Sequence, residues 1–162
     1  MSASRLLPIL AAAALSACVG LERGDVFPDD RDSVCVSYFD NATFYRDVEF
    51  ELTERVVQEI LSSPGLKLSS KEDAEVLLTG RIVDVHKHVL AEDNTQTPIA
   101  TATTVTVEVS LVDARSGKLL KKQRLTGRGE SVPSLGEDEQ FARGEAFRYL
   151  ARDIVRELQE EF

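Results

Sequence analysis

Val48, Leu52, Val56 and Ile60 recur every fourth residue with Val57 and Leu61 beside them, so one flank of this stretch is apolar and the rest polar. That spacing predicts an amphipathic helix, with Asp47 as its N-cap and Pro64-Gly65 as its stop. A second helical stripe runs through Phe141, Phe147, Leu150, Ala151, Ile154, Val155 and Leu158. Between the helices the period shortens to two. Val105, Val107, Val109 and Leu111 fall on one side and Thr104, Thr106, Glu108 and Ser110 on the other, which predicts a strand with one buried and one wet face. Asp113-Ala114-Arg115-Ser116-Gly117 supplies turn chemistry, and Lys118 to Thr126 returns as the partner strand, followed by a connection over 127–136.

Upstream, 74–90 is β-rich but changes parity: Val76, Leu78 and Ile82 are even, whereas Val83, Val85 and Val89 are odd. A change of face calls for a bulge, and Gly80 is the natural place for it. Residues 91–100 have turn residues and no apolar period, so they read as a mobile hairpin tip. A first strand is expected over 33–39, with Val34, Val36 and Tyr38 on one side and Cys35, Ser37 and Phe39 on the other, and a short edge strand over 66–68. The order implies an α+β two-layer sandwich, with two amphipathic helices packed on one face of a mainly antiparallel four-stranded sheet. Only one sheet face then needs a cover, which leaves the Thr104, Thr106, Glu108 face and the strand edges for a partner.

The first residues have a different job. Arg5, an apolar run from Leu6 to Leu15 and small residues after it have the layout of a secretory signal, too short to span a bilayer and interrupted by Pro8. Leu15-Ser16-Ala17-Cys18 ends that signal in a cysteine and resembles the lipobox of bacterial lipoproteins. The resemblance implies cleavage before Cys18, a diacylglyceryl thioether on its sulfur and a further acyl chain on its amine. Two or more chains make membrane anchoring durable. The chain then divides into a signal peptide over 1–17, a lipidated N-terminus and flexible tether over 18–33, and a single domain over 34–162. The tether is rich in Gly, Pro and Asp, with no apolar period.

The chain carries 28 acidic and 19 basic residues, a net charge of −9, which speaks for solubility and against nucleic-acid binding. With Cys18 consumed as a thioether, Cys35 has no intramolecular partner. It reads as a buried small hydrophobe between Val34 and Val36. The basic residues gather in one place: Lys118, Lys121, Lys122, Arg124 and Arg128, with no acid intervening before Glu130. They could meet phosphates or carboxylates of an anionic ligand or partner surface, or they could simply keep a sheet edge from pairing. Asp84, His86 and His88 share parity on one strand, yet no further ligand is in view, so a solvated strand face explains them better than zinc. No phosphate loop and no nucleophile beside a histidine is present, so we expect neither an enzyme, nor a cofactor, nor a metal site.

Four features coincide in order: the lipobox; Tyr38-Phe39-Asp40-Asn41-Ala42-Thr43 before a helix; Ala74 through Ile82; and Leu111-Val112-Asp113-Ala114-Arg115-Ser116-Gly117-Lys118-Leu119-Leu120. Together they resemble the LptE family of lipopolysaccharide-assembly lipoproteins along nearly the whole mature chain. The resemblance implies a subunit lipid-anchored at the periplasmic face of the outer membrane, plugging the LptD-type β-barrel as lipopolysaccharide passes to the surface. Val19 after the lipidated cysteine, where aspartate is absent, fits that location. The acid excess favours binding to the barrel over direct binding of lipopolysaccharide. The alternative is a periplasmic scaffold lipoprotein of a secretion-pore or envelope-tethering system with the same kind of domain.

Overall fold

The computed structural model describes residues 32–160; the signal peptide, Cys18 and the tether as far as residue 31 lie outside the described residues. The elements run β1 (Ser33–Val36), β2 (Asp40–Asn41), α1 (Val48–Ser62), β3 (Lys67–Leu68), β4 (Val76–Glu92), β5 (Pro98–Asp113), β6 (Leu119–Ser131), a 3₁₀ turn (Pro133–Leu135) and α2 (Glu139–Gln159). They form one sheet in the order β3-β1-β4-β5-β6, with β2 also paired to β4. The sheet is larger than the expected four strands, and it is mixed. β4, β5 and β6 are antiparallel, whereas β1 pairs in parallel with β3 and β4, and β2 with β4.

Both helices cover the same face. α2 lies over β6 and β5 with α1 beside it, and the Arg143 guanidinium meets Glu51 across the two helices at 3.3 Å. The core between the layers is built from Leu52, Val56 and Ile60 of α1, Phe147, Leu150, Ile154 and Leu158 of α2, and the alternating Val105, Val107, Val109 and Leu111 of β5. Burying a side chain the size of Phe147 contributes about 1.5–3 kcal/mol, so these residues carry most of the sheet–helix adhesion.

Several sequence expectations change in detail. The first strand stops at Val36, and the alternation breaks: Phe39 is 2% exposed, whereas Tyr38, expected on the same side as the buried Val34, is 71% exposed. The break has a partner in β4. A Cβ on Gly80 would lie 2.2 Å from the Phe39 ring, so the glycine is there to let the ring in. The bulge expected at Gly80 falls instead between Ile82 and Asp84, where Val83 is the extra residue; beyond it Val85 is partly buried against the core, whereas Val89 is exposed. Cys35 is a free thiol opposite Leu77 and only half-buried, because its face of the sheet has no helix over it.

Asp47 precedes α1 as expected but does not cap it with its side chain; it sits in the left-handed region, with φ 64°. Asn41 organises this entrance. Its amide nitrogen donates to Tyr45 O at 2.6 Å and to the Glu49 carboxylate at 2.9 Å, while its oxygen accepts from the Thr43 N–H and hydroxyl, both at 2.8 Å. Asp138 does cap α2, accepting from Phe141 N at 2.9 Å. Phe141, expected in the apolar stripe, is 47% exposed: nine residues at 100° each set it about 180° from Leu150.

β6 also outlasts its expected end, continuing through Gly127 and Gly129 to Ser131. Added Cβ atoms there would lie 2.3 Å from Ala146 O and 1.9 Å from Ala142 O, so two glycines two apart in the strand receive two alanines four apart in α2. The tip between β4 and β5 shrinks from the expected ten residues to 93–97, held by the Asp93 carboxylate, which accepts from Thr95 N at 2.8 Å and Thr97 N at 2.9 Å. The Thr95 hydroxyl, which donates to the same carboxylate at 2.6 Å, and after it these backbone N–H groups hold the Asp93 carboxyl below the usual carboxylate range.

Candidate functional site

Strand alternation places the even residues of β5 on the face without helices, and the register shows what lies beside them. Arg81 of β4 and Arg124 of β6 flank Glu108 of β5, and Asp40 of β2 lies next to Arg81. A row of alternating charge, Asp40-Arg81-Glu108-Arg124, thus crosses four strands. Asp40 and Arg81 approach to 3.4 Å, and Glu108 takes Lys122 at 3.6 Å and Arg124 at 3.9 Å. A shallow groove over this row is lined by Asp40, Thr79, Arg81, Glu108, Ser110 and Lys122. Because these pairs are exposed, each contributes at most about 1 kcal/mol, and they leave the side chains free to exchange partners.

The five basic residues singled out in the sequence do not form one patch. Lys122, Arg124 and Arg128 share the open face, where Arg128 meets Glu130 at 2.9 Å. Lys118 lies at the turn, beside the positive-φ Gly117. Lys121 has the opposite parity, points toward α2 and pairs with Glu157 at 2.9 Å and Glu160 at 3.3 Å. Period two splits a run that sequence proximity had joined.

His86 and His88 do share the open face, their rings 4.4 Å apart and edge to face. Among the described residues no group of three or more His, Cys, Asp or Glu side chains gathers to hold a metal ion, and no helix is long and apolar enough to cross a membrane. Tyr45 packs on the core edge; burial first, and then the Glu139 carboxylate, push its phenol above its ordinary range.

What this geometry defines is a small two-layer α+β domain: one sheet face is spent on two helices, and the other, polar and charge-patterned, stands open. Residues 31–158 match the LptE lipopolysaccharide-assembly family, and the chain belongs to that family. Solved structures share the fold at low sequence identity. A hypothetical protein of Chlamydia trachomatis superposes with a TM-score of 0.60 at 13% identity, covering 80% of this chain and 96% of its own. A Xanthomonas campestris protein gives 0.58 at 11% identity, over 80% and 84% of the two chains. Uncharacterized lipoprotein B of Nitrosomonas europaea gives 0.52 at 15% identity, over 80% and 83%. No curated protein sequence matches the chain.

The charged row across the sheet was invisible to the sequence reading, because its members come from four strands and their register could not be known. The Gly127/Gly129 seat for α2 had a signal that was missed: glycines with strand period facing an Ala-x-x-x-Ala with helix period.

Proposed function

We propose that this chain is a lipid-anchored subunit of the outer-membrane machinery that assembles lipopolysaccharide, bound through Cys18 at the periplasmic face and lodged in an LptD-type β-barrel. The observation that carries the reading is the open sheet face. β5 spans 16 residues, about 53 Å at 3.3 Å each, roughly twice the ~25 Å apolar band of an outer-membrane barrel. A stiff twisted sheet of that length, polar on its outer face, suits the polar interior of such a barrel, whereas a sheet with both faces apolar would not.

In this reading the helices give the plug its stiffness, and the open face makes the contacts. Lys122, Arg124 and Arg128, with Lys118 at the turn, are the groups offered to barrel carboxylates or to lipopolysaccharide phosphates. Lys121 serves α2. The work is binding and positioning, with no catalytic step and no cofactor.

The test is extraction of membranes in mild detergent, purification through this chain and identification of what accompanies it, together with depletion in the cell. A stoichiometric β-barrel and loss of surface lipopolysaccharide are the expected results. Recovery of a secretin or peptidoglycan-bound partner, with surface lipopolysaccharide unchanged, would overturn the reading in favour of an envelope scaffold.

A further inference from the structure

The two edges of the sheet are unequal. One ends in β3, two residues long, with Lys67 bonded to Asp32. The other is β6, thirteen residues long, and among the described residues it pairs only with β5. Its irregularity lies at the start, between the pairs made by Leu119 and Lys121; from there to Ser131 the ladder is regular and contains no proline. A long, regular free edge is a template for another strand.

The direction of its free backbone groups can be read from β5. Ala114 N donates to Glu75 O on the β4 side, and Asp113 N to Lys118 O on the β6 side. Antiparallel alternation then points odd residues of β5 at odd residues of β6. The N–H and C=O groups of Lys122, Arg124, Thr126, Arg128 and Glu130 therefore face outward.

α2 overhangs this edge. Ala142 and Ala146 sit against Gly129 and Gly127, and one flank further round the helix come Phe141, Glu145 and Tyr149, at i, i+4 and i+8. Phe141 and Tyr149 are each nearly half exposed. With Arg128, Gly129, Glu130 and Glu137 they line a groove between helix and strand edge. A strand added about 4.8 Å beyond β6 would run along this groove.

We propose that the β6–α2 groove binds an extended segment of a partner protein by strand addition, and that the segment alternates acidic or polar residues with aromatic or basic ones. Residues on the open-face side would lie beside Arg124 and Arg128, which favours acidic or polar partners. Residues on the other side would lie between Phe141 and Tyr149 and beside Glu145 and Glu137, which favours aromatic rings and the long stems of Arg or Lys. The same charges disfavour a second copy: antiparallel pairing about Thr126 sets Arg124 against Arg128 twice. This inference stands on the edge and groove alone, and its failure would leave the barrel reading untouched.

The probe is a capped nine-residue peptide with threonine and glutamate at odd positions and phenylalanine and arginine at even ones, beside a peptide of the same composition with the alternation broken. Backbone amide exchange is followed by NMR. The expected result is at least a tenfold slowing of exchange at the β6 amides of residues 122, 124, 126, 128 and 130 with the alternating peptide alone. Thr126→Pro removes an outward N–H, at a site where an edge strand tolerates proline. It is expected to weaken peptide binding at least tenfold, and Tyr149→Ala several-fold, with Tm within a few degrees of the parent. Unchanged exchange, equal response to both peptides, or full binding by Thr126→Pro would overturn the proposal. Concentration-dependent protection of the same amides without peptide would overturn it in favour of self-association.

Discussion

The two faces of β5 and β6 are made by the same strands, yet they follow opposite rules. Toward the helices, Val105, Val107 and Val109 are buried and Gly127 and Gly129 touch α2 backbone, so there is no room for another atom. Away from them, Glu108 is met by Lys122 and Arg124 at 3.6 and 3.9 Å, distances that leave the side chains room to move. The difference teaches where stability ends and recognition begins: one residue's step along the strand changes which of the two a substitution disturbs.

The sharpest test of the packed face is Phe147→Ala, which empties a fully buried site and is expected to cost about 3–5 kcal/mol in urea unfolding. Gly129→Ala probes the same face by overfilling; with Ala142 O in the way, a loss of about 1–3 kcal/mol is expected. If that substitution were neutral, the contact between α2 and β6 would be softer than described and the contrast between faces would break. Asn41→Ala removes the hub before α1 and should cost about 1 kcal/mol, measured the same way.

The open face should respond in the other currency. Lys122→Glu combined with Arg124→Glu is expected to shift folding stability by no more than about 1 kcal/mol, in keeping with exposed pairs. Recovery of the barrel partner and surface lipopolysaccharide should both fall. A large loss of stability with unchanged partner recovery would reverse the assignment of the faces. The smallest effect is at the hairpin tip. The Asp93 carboxyl lies below its ordinary value, so the order it lends the tip is present above about pH 3.9 and is lost as pH falls through the lower folded value. Amide exchange at Thr95 and Thr97 across pH 2–5 should report this while the core amides stay protected.

Both helices and the β5–β6 hairpin were legible because their apolar periods, 3.6 and 2, are long and uninterrupted. Sequence reading failed where one residue answers to a distant one. Gly80 looks like a bulge until Phe39 is seen to need its missing Cβ, and the period-two pattern over 33–39 breaks where the Phe39 ring turns in over Gly80. The parallel strand β2 carries two residues, too few for any period, whereas β3 falls within the short edge strand expected over 66–68. At the candidate site the basic residues were visible but their grouping was not: Lys121 pairs with Glu157 and Glu160 because parity turns it to the helix side, while Arg81 and Asp40, far off in sequence, join Arg124 through the register.

Native mass spectrometry of the detergent-solubilised complex purified through this chain tests the central claim most directly. The account predicts a species with the mass of one acylated chain beginning at Cys18 bound to one large β-barrel. Recovery of the chain alone, or only as copies of itself, would contradict it.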